Sequence, residues 1–250
     1  LRKSSVAWGD YDKDNDLDIL ISGSSSTEDI CNVYKNMGND TFSALAEFSV
    51  SGDYGTVEWA DFNNDGYLDI LFAGQNNFNS EIYIYLNQAN DTFINISNLE
   101  LSGARYGKTT WGDCDNDGDL DIFTTGENSS EHITKIYKNQ GNNVFTEMGG
   151  SDLVGVQNSS LSLGDYDFDG DLDFILLGEK DTYNKLCRIY KNHSYTTNNP
   201  PLAPNNLSSE INDTITNLSW EKSTDDHSSQ NALSYNGYLY KVGGDTIWSS

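Results

Sequence analysis

Residues 113–121 read Asp-Cys-Asp-Asn-Asp-Gly-Asp-Leu-Asp, and the same nine-residue pattern occurs three more times. The other copies are Asp10 to Asp18 (DYDKDNDLD), Asp61 to Asp69 (DFNNDGYLD) and Asp165 to Asp173 (DYDFDGDLD). Their first residues lie 51, 52 and 52 positions apart. A fixed period of this size marks a repeat architecture.

In each copy an oxygen-bearing side chain stands at positions 1, 3, 5 and 9. A hard cation such as calcium takes six to eight oxygen ligands, and a short loop of alternating Asp and Asn wraps one. Position 6 is Gly66, Gly118 or Gly170, and Asn15 in the first copy. A tight loop needs φ > 0 there, which Gly adopts freely and Asn tolerates. Position 7 varies between Asp16, Tyr67, Asp119 and Asp171, so the ligand expected there is the backbone carbonyl. Position 8 is Leu throughout and position 10 is Ile or Phe, so a strand is expected to start as the loop ends. An EF-hand shares the early positions but needs a bidentate Glu at position 12. Here position 12 is Ile21, Phe72, Thr124 or Leu176, which excludes it. A plain acidic turn is the remaining alternative, since Asp, Asn and Gly are ordinary turn residues. Three to five carboxylates within nine residues, repeated four times in register, repel one another unless a cation sits among them.

The formal charge is −25, and eighteen of the 39 acidic residues lie in the four loops. With only 14 Lys plus Arg and no basic patch, nucleic acid is excluded as a partner, and anionic membrane binding is disfavoured. No apolar run reaches the length of a transmembrane helix, so no direct membrane insertion is expected. The chain starts at Leu1 without Met and inside a repeat, and we read it as an excerpt. Cys31, Cys114 and Cys187 are odd in number and widely spaced, so they are expected as buried or half-buried free thiols. His132, His193 and His227 form no cluster, and zinc has no support.

Around each loop the same strand signals recur. A short stretch precedes it, ending Trp8-Gly9, Trp59-Ala60, Trp111-Gly112 or Leu163-Gly164. A β-rich run follows, to Gly23, Gly74, Gly126 or Gly178. A third strand ends in Tyr-x-Asn at Tyr34 to Asn36, Tyr85 to Asn87, Tyr137 to Asn139 and Tyr190 to Asn192. A turn then leads to a fourth strand opening at Phe42, Phe93 or Phe145. These runs predict about four antiparallel strands per repeat, the size of one propeller blade. Trp8, Trp59, Trp111 and Leu163 are expected as core between blades.

The W-G-D-x-D-x-D-G-D-L-D-I core with its later Y-x-N…F resembles the FG-GAP/VCBS repeat of integrin α-subunit propellers and many microbial surface proteins. The resemblance covers about residues 4–194. It implies an all-β fold, a β-propeller of ~52-residue four-stranded blades starting near residues 4, 55, 107 and 159 within a domain spanning 1–195. It also implies about four Ca²⁺ ions, one per repeat. The implied ligands are Asp10, Asp12, Asp14, Asp18 and the carbonyl of Asp16; then Asp61, Asn63, Asp65, Asp69 and the carbonyl of Tyr67. They continue with Asp113, Asp115, Asp117, Asp121 and the carbonyl of Asp119; then Asp165, Asp167, Asp169, Asp173 and the carbonyl of Asp171. The second loop carries the fewest charges and is expected to bind most weakly. Family propellers usually close with seven blades. Three full blades and a fourth without an outer strand are legible here, so an open arc is expected, with a four-bladed ring as the alternative.

All three prolines fall in Pro200 to Pro204, which predicts a stiff linker over 196–205. Residues 206–250, with Trp220 and Tyr238, resemble the first half of a fibronectin type III-like sandwich, a partial β-sandwich of about half the usual length.

Function follows from these readings as an expectation. The chain is expected to be a non-catalytic, calcium-binding, extracellular adhesion or ligand-binding module, secreted or on the cell surface. Nine Asn-x-Ser/Thr sequons, Asn39, Asn90 and Asn128 among them, are compatible with secretion. The resemblance places an unknown protein or glycan ligand on the face opposite the calcium loops, near Gly52 to Tyr54, Gly103 to Tyr106 and Gly155 to Asn158. The alternative is the non-catalytic propeller part, or scaffold, of a secreted lyase or hydrolase acting on carbohydrate. A plain spacer is a third reading. No Ser/His/Asp set, Cys/His set or phosphate loop is present, so no catalytic residue is expected.

Overall fold

The computed structural model describes residues 2–24, 29–48, 54–76, 79–96, 99, 101–149, 152–193, 202–212, 215–224, 238–240 and 246–249. The chain divides into two compact units, Leu1–Asn198 and Asn199–Ser250. The 195–199 stretch, Gly52 and the Leu233 to Tyr235 segment lie outside the described residues.

The first unit is a succession of antiparallel meanders. β1 (Arg2–Gly9), β2 (Asp18–Ser24), β3 (Asp29–Asn36) and β4 (Phe42–Glu47) pair in that order. So do β5 (Thr56–Ala60), β6 (Asp69–Asn76), β7 (Asn79–Asn87) and β8 (Phe93–Asn95). The third sheet is β9 (Arg105–Gly112), β10 (Asp121–Glu127), β11 (His132–Asn139) and β12 (Phe145–Glu147). The fourth has three described strands, β13 (Gln157–Gly164), β14 (Asp173–Glu179) and β15 (Lys185–Tyr190). The register is shared: Gly9 faces Asp18, Ala60 faces Asp69, Gly112 faces Asp121 and Gly164 faces Asp173. Each acidic loop is thus the hairpin between the first two strands of its sheet.

The cores lie between sheets. Tyr11, Leu20 and Val33 of the first repeat pack with Val57, Ile70 and Phe72 of the second. Phe62, Leu71 and Ile84 pack with Trp111, Ile122 and Tyr137 of the third. Cys114 and Phe123 pack with Leu161, Phe174 and Leu176 of the fourth. The first strands line up, β1 against β5, β5 against β9 and β9 against β13. A strand covered on both faces reads as a continuous apolar run. β10 is buried at six successive residues, whereas β2 alternates, because among the described residues one face of the first sheet meets a neighbouring sheet.

This arrangement decides the tryptophans. Trp59 stacks on Tyr11 at 6.0 Å and Trp111 on Phe62 at 5.2 Å, each leaning on the loop of the preceding repeat. Leu163 packs in the same place against the third repeat. Trp8 departs from the expectation of a core residue. It is 59% exposed, because no preceding sheet covers it among the described residues. Cys187 departs too. It is exposed on β15, the outermost described strand of its sheet, whereas Cys31 and Cys114 are buried. Where Cys114 replaces an aromatic ring, the third and fourth sheets leave a cleft of about 210 Å³ lined by Cys114, Ile136, Met148, Phe174 and Tyr190. The residue before the loop meets the next sheet closely: the second repeat holds Ala60 there, and the first and third hold glycine. A Cβ on Gly112 would stand 2.5 Å from Leu163 Cδ1, and one on Gly9 2.7 Å from Trp59 Cδ1.

The second unit holds two antiparallel pairs, β16 (Asn205–Asn212) with β17 (Ile215–Glu221), and β18 (Tyr238–Tyr240) with β19 (Thr246–Ser249). Trp220 lies on β17, 43% exposed.

Candidate metal sites in the four acidic loops

Each loop is folded by its own side chains accepting its own backbone amides. The position 1 carboxylate accepts the amides of positions 5 and 6. Asp10 takes Asp14 and Asn15 at 3.1 Å each, Asp61 takes Asp65 at 2.9 Å and Gly66 at 2.7 Å. Asp113 takes Asp117 at 3.1 Å and Gly118 at 3.0 Å, and Asp165 takes Asp169 at 3.2 Å and Gly170 at 3.0 Å. The position 5 carboxylate accepts the amide of position 7: Asp14 from Asp16, Asp65 from Tyr67, Asp117 from Asp119 and Asp169 from Asp171. The position 5 to 7 bonds are Asx-turns, and the position 1 bonds, which span four and five residues, close the loop around them.

Position 6 has the expected left-handed backbone, with φ of 72° at Asn15, 90° at Gly66, 86° at Gly118 and 91° at Gly170. Position 4 is left-handed as well, at Lys13, Asn64, Asn116 and Phe168. Sequence reasoning missed it; two asparagines among the four were the available signal. The first three of these residues reach the next loop, while Phe168 is exposed. Lys13 Nζ lies 4.0 Å over the Tyr67 ring, Asn64 donates to the Gly118 carbonyl at 3.4 Å, and Asn116 donates to the Gly170 carbonyl at 3.2 Å.

Position 9 differs from the others. Asp18, Asp69 and Asp121 are fully buried and Asp173 is 1% exposed. One oxygen accepts the amide of position 2: Tyr11 at 3.2 Å, Phe62 at 3.1 Å, Cys114 at 2.8 Å and Tyr166 at 3.2 Å. The other accepts the amide that ends the Tyr-x-Asn motif, from Asn36, Asn87 and Asn139 at 2.8 Å and Asn192 at 2.7 Å. Position 9 therefore ties the loop to the third strand of its own sheet.

The carboxylates converge. Oxygen atoms of Asp10, Asp12 and Asp18 lie within 4.8 Å of one another, as do those of Asp113, Asp115 and Asp121. In the fourth loop Asp165, Asp167, Asp169 and Asp173 all do so. In the second loop position 3 is an amide, and Asn63 Nδ2 donates to Asp65 at 2.9 Å. An all-oxygen donor set of this density fits calcium or another hard cation, and no sulfur or imidazole enters it. Asp14, Asp117, all three second-loop carboxylates Asp61, Asp65 and Asp69, and the position 7 residues Asp16, Tyr67, Asp119 and Asp171 stand outside those converging sets.

Burial pushes the Asp69 carboxyl up to about 7, against the amides of Asn87 and Phe62 and with the charge of Asp65 adding to it. Burial likewise raises Asp18, Asp61, Asp113, Asp119 and Asp121. A carboxyl whose folded pKa exceeds its unfolded value holds a proton the unfolded chain has lost. Its stabilisation is full below about pH 4 and is lost as pH rises towards 7. We therefore expect the melting temperature of metal-free protein to fall between pH 5 and 7. Calcium uptake near pH 6 should release protons, measurable as a buffer-dependent heat of binding. A metal-free melting temperature that rises across this range would contradict the assignment.

Residues 10–72, 61–124 and 113–176 each match the family described as the FG-GAP-like repeat. No curated protein and no solved structure matches the chain.

Proposed function

The chain belongs to the FG-GAP-like repeat family, and on that premise we propose that it is a non-catalytic, calcium-stabilised binding module of an extracellular protein. The observation that carries the reading is the convergence of acidic oxygens in loops that share one register across successive sheets. Positions 1, 3, 5 and 9 would supply side-chain oxygens and position 7 a carbonyl, giving about four ions. Such a site suits the millimolar calcium outside cells. Repeats of this family are typical of extracellular proteins, and no helix among the described residues is long and apolar enough to cross a membrane.

A ligand, protein or glycan, would bind at the strand ends opposite the loops. Tyr54 and Tyr106 lie there with ring centroids 3.8 Å apart, and Arg105 lies over Tyr106 at 5.4 Å and pairs with Glu127 at 2.8 Å. An aromatic and charged cluster at that end favours a binder over a spacer, since aromatic rings and arginine are the side chains that most often anchor partners.

Thermal melting of the protein free of metal, with calcium and with magnesium tests the reading. A site that binds only the folded state adds about 2.7 kcal/mol at a hundredfold excess over Kd. That is roughly 5–10 °C per occupied loop in a protein of this size. No calcium response, or an equal response to magnesium, would overturn the proposal.

A further inference from the structure

In three repeats the third strand ends Tyr-Lys-Asn, and the lysine lies against the acidic loop of its own repeat. Lys35 Nζ is 2.6 Å from Asp12 and also pairs with Asp91 of the second repeat at 3.2 Å. Lys138 contacts Asp115 and stands 3.3 Å from Asp117. Lys191 contacts Asp167 and stands 2.9 Å from Asp169. The position 3 carboxylate is a partner each time, and position 5 joins it twice. The second repeat changes both members together: position 3 is Asn63, and Leu86 takes the place of the lysine. Three loops therefore set four ligand carboxylates against the lysine of their own third strand, and the second sets three with no such lysine, the nearest ammonium being Lys13 of the first loop, 4.0 Å over the Tyr67 ring. Counted formally with the lysine of its own third strand alone, every ligand set carries a charge of −3.

We propose that Lys35, Lys138 and Lys191 are resident counter-ions of their loops, each screening the carboxylates of a metal-free loop and weakening its hold on a divalent cation. The proposal rests on the reading of the loops as calcium sites. Carboxylates packed this closely repel, and an ammonium between them relieves the repulsion. The same ammonium repels an incoming Ca²⁺. At about 5–6 Å, even in a water-like dielectric, that repulsion is worth roughly tenfold in affinity. The second loop reaches the same balance by omitting one carboxylate and the lysine.

The test uses the whole chain, stripped of metal and titrated with CaCl₂ by calorimetry. Lys138→Met with Lys191→Met should tighten two sites about tenfold. The same variant should melt a few degrees lower without metal and like the unaltered protein in saturating calcium. Lys138→Arg, which keeps the charge, should behave as the unaltered protein. Leu86→Lys, which adds an ammonium to the second loop, should weaken one site by a similar factor. Both lysines sit at a partly exposed rim, and far-UV circular dichroism checks that the variants fold. Unchanged or weaker calcium affinity in the methionine variant, with the unaltered protein still binding, sinks the counter-ion role and leaves the calcium reading standing. No calcium uptake by the folded unaltered protein or by the variant sinks both.

Discussion

Asp121→Ala should melt far below the unaltered protein even with no metal present, whereas Asp117→Ala should do so only in calcium. The two carboxylates lie four residues apart in one loop, yet their surroundings differ. Asp121 is fully buried and accepts the Cys114 and Asn139 amides at 2.8 Å each. Alanine leaves two buried donors without an acceptor, at about 1–3 kcal/mol each, and a void where the carboxylate stood. Together these amount to about 3–5 kcal/mol, or a drop of roughly 10 °C. Asp117 is exposed and accepts the Asp119 amide at 3.0 Å, a contact water can replace. Its partly exposed pair with Lys138 at 3.3 Å is worth little, so its loss should be felt mainly through the cation. Asp121→Asn separates the roles further. The amide keeps one acceptor oxygen and removes a charge that burial disfavours, so it should cost less than alanine without metal, while calcium should no longer stabilise that loop. Melting each variant in chelator and in calcium checks this. Equal losses for Asp117→Ala and Asp121→Ala in chelator would show that position 9 is no more than a ligand.

That distinction could not be read from the nonapeptide, and the reason is physical. Oxygen chemistry at positions 1, 3, 5 and 9, the left-handed residue at position 6 and the flanking strands are local properties, so four copies reveal them by repetition. Burial is not local. Position 2 is Tyr11, Phe62, Cys114 or Tyr166 and looks unconstrained, yet the first three are buried between sheets while Tyr166 is 53% exposed. The Asn of Tyr-x-Asn reads as a strand end. Its side chain also donates to the position 2 carbonyl of the preceding repeat, from Asn87 to Tyr11 at 2.9 Å and from Asn192 to Cys114 at 2.5 Å. Trp8 and Cys187 miss their expected burial for the same reason. Each occupies a position that is covered in other repeats, but the covering element is absent among the described residues. A repeat specifies its own loop; its neighbour specifies what that loop packs against.

The stacked ring pair between the second and third repeats is where this dependence should be most costly to break. Trp111 is 8% exposed and packs on Phe62 at 5.2 Å with an interplanar angle of 27°. Phe62 stacks in turn on Phe145 at 5.8 Å. Truncating a buried tryptophan removes its transfer energy and leaves a cavity, about 3–5 kcal/mol in all. Trp111→Ala should therefore lower the melting temperature by roughly 10 °C, with or without calcium. Trp8→Ala, at the equivalent position of the first repeat but largely exposed, should change stability by no more than about 0.5 kcal/mol. Combining Trp111→Ala with Phe62→Ala should cost less than the two single losses added, because the rings share one contact, worth about 0.5–1.5 kcal/mol beyond the area they bury. Melting the four variants beside the unaltered protein in chelator keeps the metal out of the comparison. If Trp111→Ala and Trp8→Ala proved equally mild, the sheets would not be held by the cores between them, and the order of packing described above would be wrong. If Trp111→Ala were severe but additive with Phe62→Ala, the tryptophan would be buried for its size alone, and the stack across the repeats would carry no energy of its own.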